Sequence, residues 1–357
     1  MRILITGNLG YVGPIVVRHL RAALPDARLV GHDSAFFAHA LSNAASWPER
    51  LLDAQRLGDV RDISESDLES FDAIVHLAAV SNDPMGNRFE IVTDQINRNA
   101  SLALAQRAAA AGIKRFVFAS SCSVYGFAPG EARKESDELN PQTAYARSKV
   151  ETERGLARLD LGDMTTTCLR FATACGMSDR LRLDLVLNDF VASAIAARRI
   201  DILSDGTPWR PLIDVRDMAR AVHWALVRPP DAGGKLLSVN IGSEEWNYQV
   251  RDLAKAVADS LPGVSVATNS QAAPDTRSYK VDFSLFRSLA PLFQPQITLG
   301  RSIELLTEGL TGMGFADPDF RSSAFMRLKI LEGHIASGRL SPELRWTDNS
   351  PRREARP

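Results

Sequence analysis

The chain opens with a short apolar run, Arg2–Thr6, that ends directly in three glycines spaced three apart: Gly7, Gly10 and Gly13 in TGNLGYVG. Few patterns constrain a fold as strongly. A tight turn needs a residue free of Cβ, and so does backbone that must approach a pyrophosphate; the third glycine lets a helix pack closely on the strand before it. Tyr11 and Val12 complete the turn, and Val12–Leu24 carries apolar residues at helical spacing. The N-terminus of that helix offers free N–H groups and a partial positive charge to a phosphate. An acid follows twenty positions after Gly13: Asp33, at the end of a second strand. A carboxylate there accepts hydrogen bonds from both hydroxyls of a ribose and repels a 2′-phosphate. No arginine follows until Arg50, so the pattern predicts NAD rather than NADP.

The first 170 residues alternate short apolar runs with longer helical patterns. Strands are expected at Arg2–Thr6, Arg28–Gly31, Ala73–Leu77, Arg115–Ser120 and Thr165–Phe171, and helices over Phe89–Ala111 and Pro141–Asp160. Alternation of this kind implies βαβ units, right-handed crossovers and an α/β fold with a doubly wound parallel sheet. Beyond residue 172 the pattern is less regular: helices over Arg182–Ala197, Tyr248–Leu261 and Ile303–Leu310, strands at Arg199–Ser204 and Leu236–Ile241. The reading is a nucleotide domain over 1–172 with a segment crossing back at about 213–243. A smaller C-terminal α/β substrate lobe with a helical extension spans 173–346, and a disordered tail spans 347–357.

Length and composition agree with this and exclude other classes. The 357 residues suit two packed domains. A net charge of −1 gives no footprint for nucleic acid or an anionic membrane, and no apolar run approaches the length of a membrane span. The N-terminus reads as a first strand rather than a signal peptide. The three cysteines, Cys122, Cys168 and Cys175, lack metal-ligand spacing, and their odd number argues against a disulfide framework. A cytoplasmic enzyme without a metal is the expectation.

Two further clusters carry chemistry. In Tyr145-Ala-Arg-Ser-Lys149 the i, i+4 spacing puts tyrosine and lysine on one helix face. A free phenol, with a pKa near 10, is a poor base at neutral pH. A cation alongside favours the phenolate, which can then take a proton from a sugar hydroxyl. Ser120–Gly126 (SSCSVYG) follows the strand at Arg115–Ser120, at the end of the sheet where doubly wound folds bind ligands. Ser121 there can hydrogen-bond a substrate oxygen and share its proton with Tyr145. Asp59, with Val60, is placed to receive the adenine amino group, and the small residues of Leu77-Ala78-Ala79 leave room for the cofactor.

With these residues in hand the sequence resembles the extended short-chain dehydrogenase/reductases, the NAD-dependent epimerase/dehydratase group, over about residues 1–312. TGNLGYVG, Asp33, GDV at 58–60, HLAA at 76–79, SSCSVYG, YARSK, LRFATACG at 169–176, DGTPWRPLIDVRDMARA at 205–221 and VNIGSEEWNY at 239–248 carry the resemblance. It implies a Rossmann domain, a catalytic set of Ser121, Tyr145 and Lys149, and a cofactor held by Asp33, Asp59 and Lys149. It implies that Arg210 and Asn188 bind the diphosphate of a nucleotide-diphosphate sugar, that Asn97 braces the tyrosine region, and that the chain is a homodimer built on the two long helices. Ser123, Thr173 and Arg277 are further substrate-side candidates. Thr173 stands where relatives have asparagine, and Arg277 lies in DTRSYKVD at 275–282, which replaces their arginine-bearing loop. Arg180 and Arg182 are candidates for the nucleotide or for ion pairs.

Relatives that dehydrate nucleotide-sugars carry an Asp-Glu pair where this chain has Cys122 and Ser123. Eliminating water needs an acid and a base near C5 and C6, which neither residue supplies readily. The ranking that follows is C4 epimerisation through a 4-keto sugar, then a 4-ketosugar reductase or dehydrogenase, then a 4,6-dehydratase. A nucleotide sensor without catalysis ranks last, because a sensor has no need of the Ser121/Tyr145/Lys149 set. The segment after 317 is expected to form a helix packed on the body.

Overall fold

The computed structural model describes residues 1–269 and 278–347. Seven strands form one parallel sheet: β1 (Arg2–Thr6), β2 (Arg28–Asp33), β3 (Ala54–Leu57), β4 (Ala73–His76), β5 (Arg115–Ser121), β6 (Thr165–Phe171) and β7 (Leu236–Ile241). Their order across the sheet is β3-β2-β1-β4-β5-β6-β7. Ile3, Leu4 and Ile5 of β1 and all of β4 are buried on both faces, as a parallel sheet covered by helices requires. The order reverses between β1 and β4, which opens a crevice at the carboxyl ends of those strands.

Helices Gly13–Ala23 and Val215–Val227 pack together over one face. On the other face helix Ala144–Leu156 packs against the segment Asp94–Ala100 and helix Ser101–Ala110. The expected helix over Phe89–Ala111 is not continuous. It divides into Asp83–Arg88, Glu90–Thr93, a π-helical turn at Asp94–Ala100 and Ser101–Ala110. The helix expected from Arg182 begins at Val186, because Arg182 turns back to pair with Asp184 and Leu185 is extended. The helix expected from Pro141 begins at Ala144: Thr143 caps it, its hydroxyl accepting from the Ala146 N–H at 3.1 Å. Strand β3, a half-buried edge, had no signal strong enough to be read.

β7 joins the sheet from beyond the lobe segments, pairing with β6 from Thr166–Leu236 to Phe171–Ile241. The lobe contributes a three-stranded sheet of Thr173–Cys175, Trp209–Asp214 and Asn247–Gln249, and a pair formed by Arg199–Ile202 and Ser265–Thr268. After residue 317 the chain forms helix Arg327–Ala336 and docks on the nucleotide half: Leu331, Leu340 and Leu344 join Val30, Val60 and Ile63 in one apolar cluster. Cys122, Cys168 and Cys175 are buried and free. Among the described residues no helix is long and apolar enough to cross a membrane, and no group of side chains could hold a metal. Arg277 and residues 348–357 lie outside the described residues.

Candidate active site

The crevice is a cavity of about 850 Å³, lined from both the sheet ends and the lobe. Its nucleotide side is built by the glycine turn. Gly7 has φ +76°, and a Cβ there would lie 2.5 Å from the Ala78 nitrogen. A side chain on Gly13 would collide with the Asn8 carbonyl. Helix Gly13–Ala23 has no side-chain cap and no acid in its first turn, so its N–H groups are left for an anion. Asp33 lines the cavity, accepting from the Leu9 N–H (3.0 Å) and the Ala35 N–H (2.7 Å). Burial raises its pKa, an effect these two hydrogen bonds oppose. Gly10, Tyr11, Val12, Val60, Leu77, Ala78 and Ala79 line the same region.

Asp59 also lines it, but its carboxylate is already engaged. Arg61 clasps it with Nε at 2.9 Å and Nη2 at 2.6 Å. Burial pushes its pKa up, yet hydrogen bonding to Arg61 overrides that and holds it low.

The chemistry-bearing groups converge on the far side of the crevice. Tyr145 and Lys149 sit one turn apart on helix Ala144–Leu156, and Ser121 ends β5. All three line the cavity. Burial pushes the Tyr145 phenol up to about 12, while its hydrogen bond with Ser121 pulls it back. Burial brings Lys149 down to about 7. Its Nζ donates to the Ala119 carbonyl at 2.7 Å and lies 5.6 Å from the Tyr145 ring centre. The expected lowering of the phenol is thus outweighed by desolvation when the protein acts alone. Asn97 ties the frame together: Oδ1 accepts from the Val80 N–H (2.8 Å), and Nδ2 donates to the Val80 carbonyl (2.9 Å) and to Ser148 Oγ (3.0 Å).

A family model matches residues 3–242, that of the NAD dependent epimerase/dehydratase family. The chain belongs to that family. NAD is its cofactor, and the uncapped turn and the Asp33 carboxylate fit a dinucleotide. Among curated relatives, the UDP-glucose 4-epimerase of Lacticaseibacillus casei is 26% identical over 278 residues, 72% of this chain and 81% of that protein. The enzyme so named from Mycolicibacterium smegmatis is 26% identical over 322 residues, 86% and 98% of the two chains. Two solved structures share the fold. An NAD dependent NDP-hexosamine 5,6-dehydratase of tunicamycin biosynthesis superposes with a TM-score of 0.75 at 23% identity, covering 89% of this chain and 99% of that one. The UDP-glucose 4-epimerase of Thermotoga maritima with UDP-glucose superposes with a TM-score of 0.73 at 22% identity, covering 87% and 99%.

The member of the family described here is thus a nucleotide-sugar enzyme of epimerase/dehydratase type, and its lobe lines the same cavity as Ser121, Tyr145 and Lys149. Thr173 and Arg210 line the cavity, and the Arg210 guanidinium donates to the Trp209 carbonyl at 2.9 Å. Ser123 lines it too, with a buried hydroxyl that has no hydrogen-bond partner among the described residues. Asn188, by contrast, lies behind the wall. It accepts from the Gly176 N–H (2.9 Å) and donates to Tyr11 Oη (3.1 Å) and the Arg182 carbonyl (3.0 Å), which commits the whole amide. The substrate contact implied by resemblance is replaced here by a brace. Arg180 is fully buried and pairs with Glu49 at 2.6 Å, while Arg182 lines the cavity and pairs with Asp184.

Sequence reasoning missed two groups. Asn82 and Asp184 complete a polar cluster with Arg182 beside the tyrosine: Asn82 Nδ2 donates to Asp184 at 2.7 Å. Arg321 and Arg327, from the extension, also line the cavity. No local spacing marks any of them, since each meets its neighbours only through the fold.

Proposed function

We propose that this chain is a nucleotide-sugar 4-epimerase that oxidises C4 of the sugar to a ketone and reduces it again on the opposite face. The observation that carries the reading is Cys122, immediately after the catalytic hydroxyl. It is fully buried, its thiol donates to the Arg170 carbonyl at 3.0 Å, and burial pushes its pKa far up. Neither it nor the neighbouring Ser123 hydroxyl offers the acid needed to expel water, which disfavours a dehydratase. The curated relatives' names favour the same reaction.

NAD, when bound, supplies a reversible hydride acceptor and a positive charge near the phenol. Tyr145 takes the C4 hydroxyl proton as the carbon is oxidised and gives it back as the ketone is reduced. Ser121 has a single hydroxyl proton, which it donates to the phenolate or to the substrate oxygen in turn as the proton moves between them. Lys149, in its cationic form, favours the phenolate. Arg210 and Thr173 hold the nucleotide diphosphate from the lobe side. Asp33 favours NAD over NADP by repelling a 2′-phosphate.

The test is incubation of the purified protein, without added cofactor, with a panel of nucleotide-hexoses in deuterated water. Inversion at C4 with no carbon-bound deuterium and no change in mass is expected. Loss of water with deuterium uptake would replace the reading with a dehydratase. Turnover that needs stoichiometric NADH or NAD would replace it with a reductase or dehydrogenase.

A further inference from the structure

The extension after residue 317 lies beyond the segment that the family model matches. It nevertheless forms part of the cavity wall, through Arg321, Met326, Arg327, Leu331 and Leu344. It is fastened to the ribose end of the crevice. Trp346 donates from its indole to the Ser34 carbonyl at 2.5 Å and packs against Phe36, and His334 contacts the Phe36 carbonyl at 3.1 Å. Arg345 pairs with Asp62 and approaches Asp59.

Within this extension Arg327 is anomalous. Its side chain is 2% exposed, yet no carboxylate pairs with it among the described residues. Nη2 donates to the Arg180 carbonyl at 2.7 Å and the guanidinium sits 4.8 Å from the centre of the Phe37 ring, but the buried Nη1 has no hydrogen-bond partner. Burial, and after it the neighbouring Arg182 cation, bring its pKa down to about 9. A buried, unmatched guanidinium is costly unless an anion answers it. The other arginines nearby are already answered, Arg182 by Asp184 and Arg180 by Glu49.

The place of Arg327 identifies the anion. It stacks on Phe37, four residues past Asp33, and lies within electrostatic range of Tyr11 of the glycine turn. Gly7–Val12 and Leu77–Asn82, which line that end, contain no lysine or arginine. A diphosphate on the turn would have N–H donors and a helix terminus but no full positive charge from these segments. We propose that Arg327 is the cation that receives the diphosphate of NAD, so that the C-terminal extension is a working part of the cofactor site. The proposal rests on the family's dependence on NAD. A nucleotide-sugar carries a diphosphate too, and the experiment separates the two.

Full-length protein freed of nucleotide is titrated calorimetrically with NAD, ADP-ribose, adenosine and UDP, as wild type and as Arg327→Met. The variant is expected to lose about ten- to a hundredfold in affinity for NAD and for ADP-ribose. It should bind adenosine and UDP as wild type does and give an unchanged circular dichroism spectrum. NAD affinity within twofold of wild type, or a loss confined to UDP, would overturn the proposal. Wild-type protein that bound UDP but neither NAD nor ADP-ribose would overturn the cofactor assignment, and the proposal with it. Should Arg327→Met not fold, Arg327→Gln gives the answer, because it keeps a hydrogen-bond donor and loses the charge. At pH 7 its ADP-ribose affinity should fall by about tenfold or more while its UDP affinity is kept. ADP-ribose affinity equal to wild type in that variant would count against a charge at this position.

Discussion

In the proposed reaction Lys149 serves chemistry at the expense of stability. Its ammonium is buried, with the Ala119 carbonyl 2.7 Å away and aromatic faces at 4.6 Å (Phe118) and 5.6 Å (Tyr145). Its pKa falls from 10.5 in the unfolded reference to about 7 in the folded protein. Between those values the unfolded chain holds a proton that the folded chain lacks, so this group's contribution to stability rises with pH over that window. Lys149→Met is expected to stabilise the NAD-free protein by about 1 kcal/mol at pH 7. The gain should shrink toward pH 10.5, as followed by urea denaturation at several pH values. A constant gain would show that the lysine carries no desolvation cost. For Tyr145, whose pKa is about 12 in the protein alone, loss of the hydroxyl should remove proton transfer and little else. Tyr145→Phe is expected to lower kcat by about 10²–10⁴-fold while the NAD content per chain is kept, as measured by single-turnover assay and by release of bound nucleotide.

At the scale of elements, helix Ala144–Leu156 has its registry on the sheet fixed by Glu153, one turn beyond Lys149. The carboxylate accepts from Ser120 Oγ on β5 (2.5 Å), from Arg170 Nη2 on β6 (2.7 Å) and from Ser238 Oγ on β7 (3.0 Å). One buried anion thus ties the catalytic helix to three strands. Removing its charge leaves Arg170 buried with the Tyr125 hydroxyl and the Glu135 carbonyl but without its ion pair, so Glu153→Gln is expected to cost about 3–5 kcal/mol, read from the denaturant midpoint. A change below 1 kcal/mol would mean that the strands hold the helix without it. This linkage was not legible in the sequence, because Glu153 meets Ser120, Arg170 and Ser238 only through the fold. The glycine turn and the Tyr145/Lys149 pair were legible because each is a local pattern, three or four residues apart and set by one turn's geometry. The break in the helix expected over Phe89–Ala111 was not. Its π-helical turn brings the Asn97 carbonyl to both Ser101 Oγ (2.7 Å) and Thr152 Oγ1 (3.0 Å), and Thr152 belongs to a different helix. Asn188 taught the converse lesson: its position in the chain matched a ligand contact, and its neighbours in space turned it inward.

At the scale of the whole molecule, the sheet is the product of distant segments, and the C-terminal extension closes the nucleotide half. Alternating strands and helices made the parallel sheet predictable. Where the last helix would dock was not predictable, because an amphipathic pattern says that a face is buried without saying against what. Leu331 now lies in the cluster with Val60 and Ile63. Leu331→Ala is expected to cost about 2–5 kcal/mol, measured by urea denaturation. A neutral outcome would mean that the extension rests on the body without stabilising it.

The late arrival of β7 has a consequence for synthesis. β6 is buried along its whole length, yet its outer neighbour pairs from Thr166–Leu236 onward. On the ribosome, translating at roughly 5–20 residues per second, the bare edge of β6 waits about 4–14 seconds for its partner. During that interval the nascent sheet offers Thr165–Phe171 to any strand within reach, including the same segment of a neighbouring nascent chain. Yield in the cell should therefore depend on elongation speed through residues 172–241 and on chaperones that shield this edge, more than on the stability of the finished enzyme.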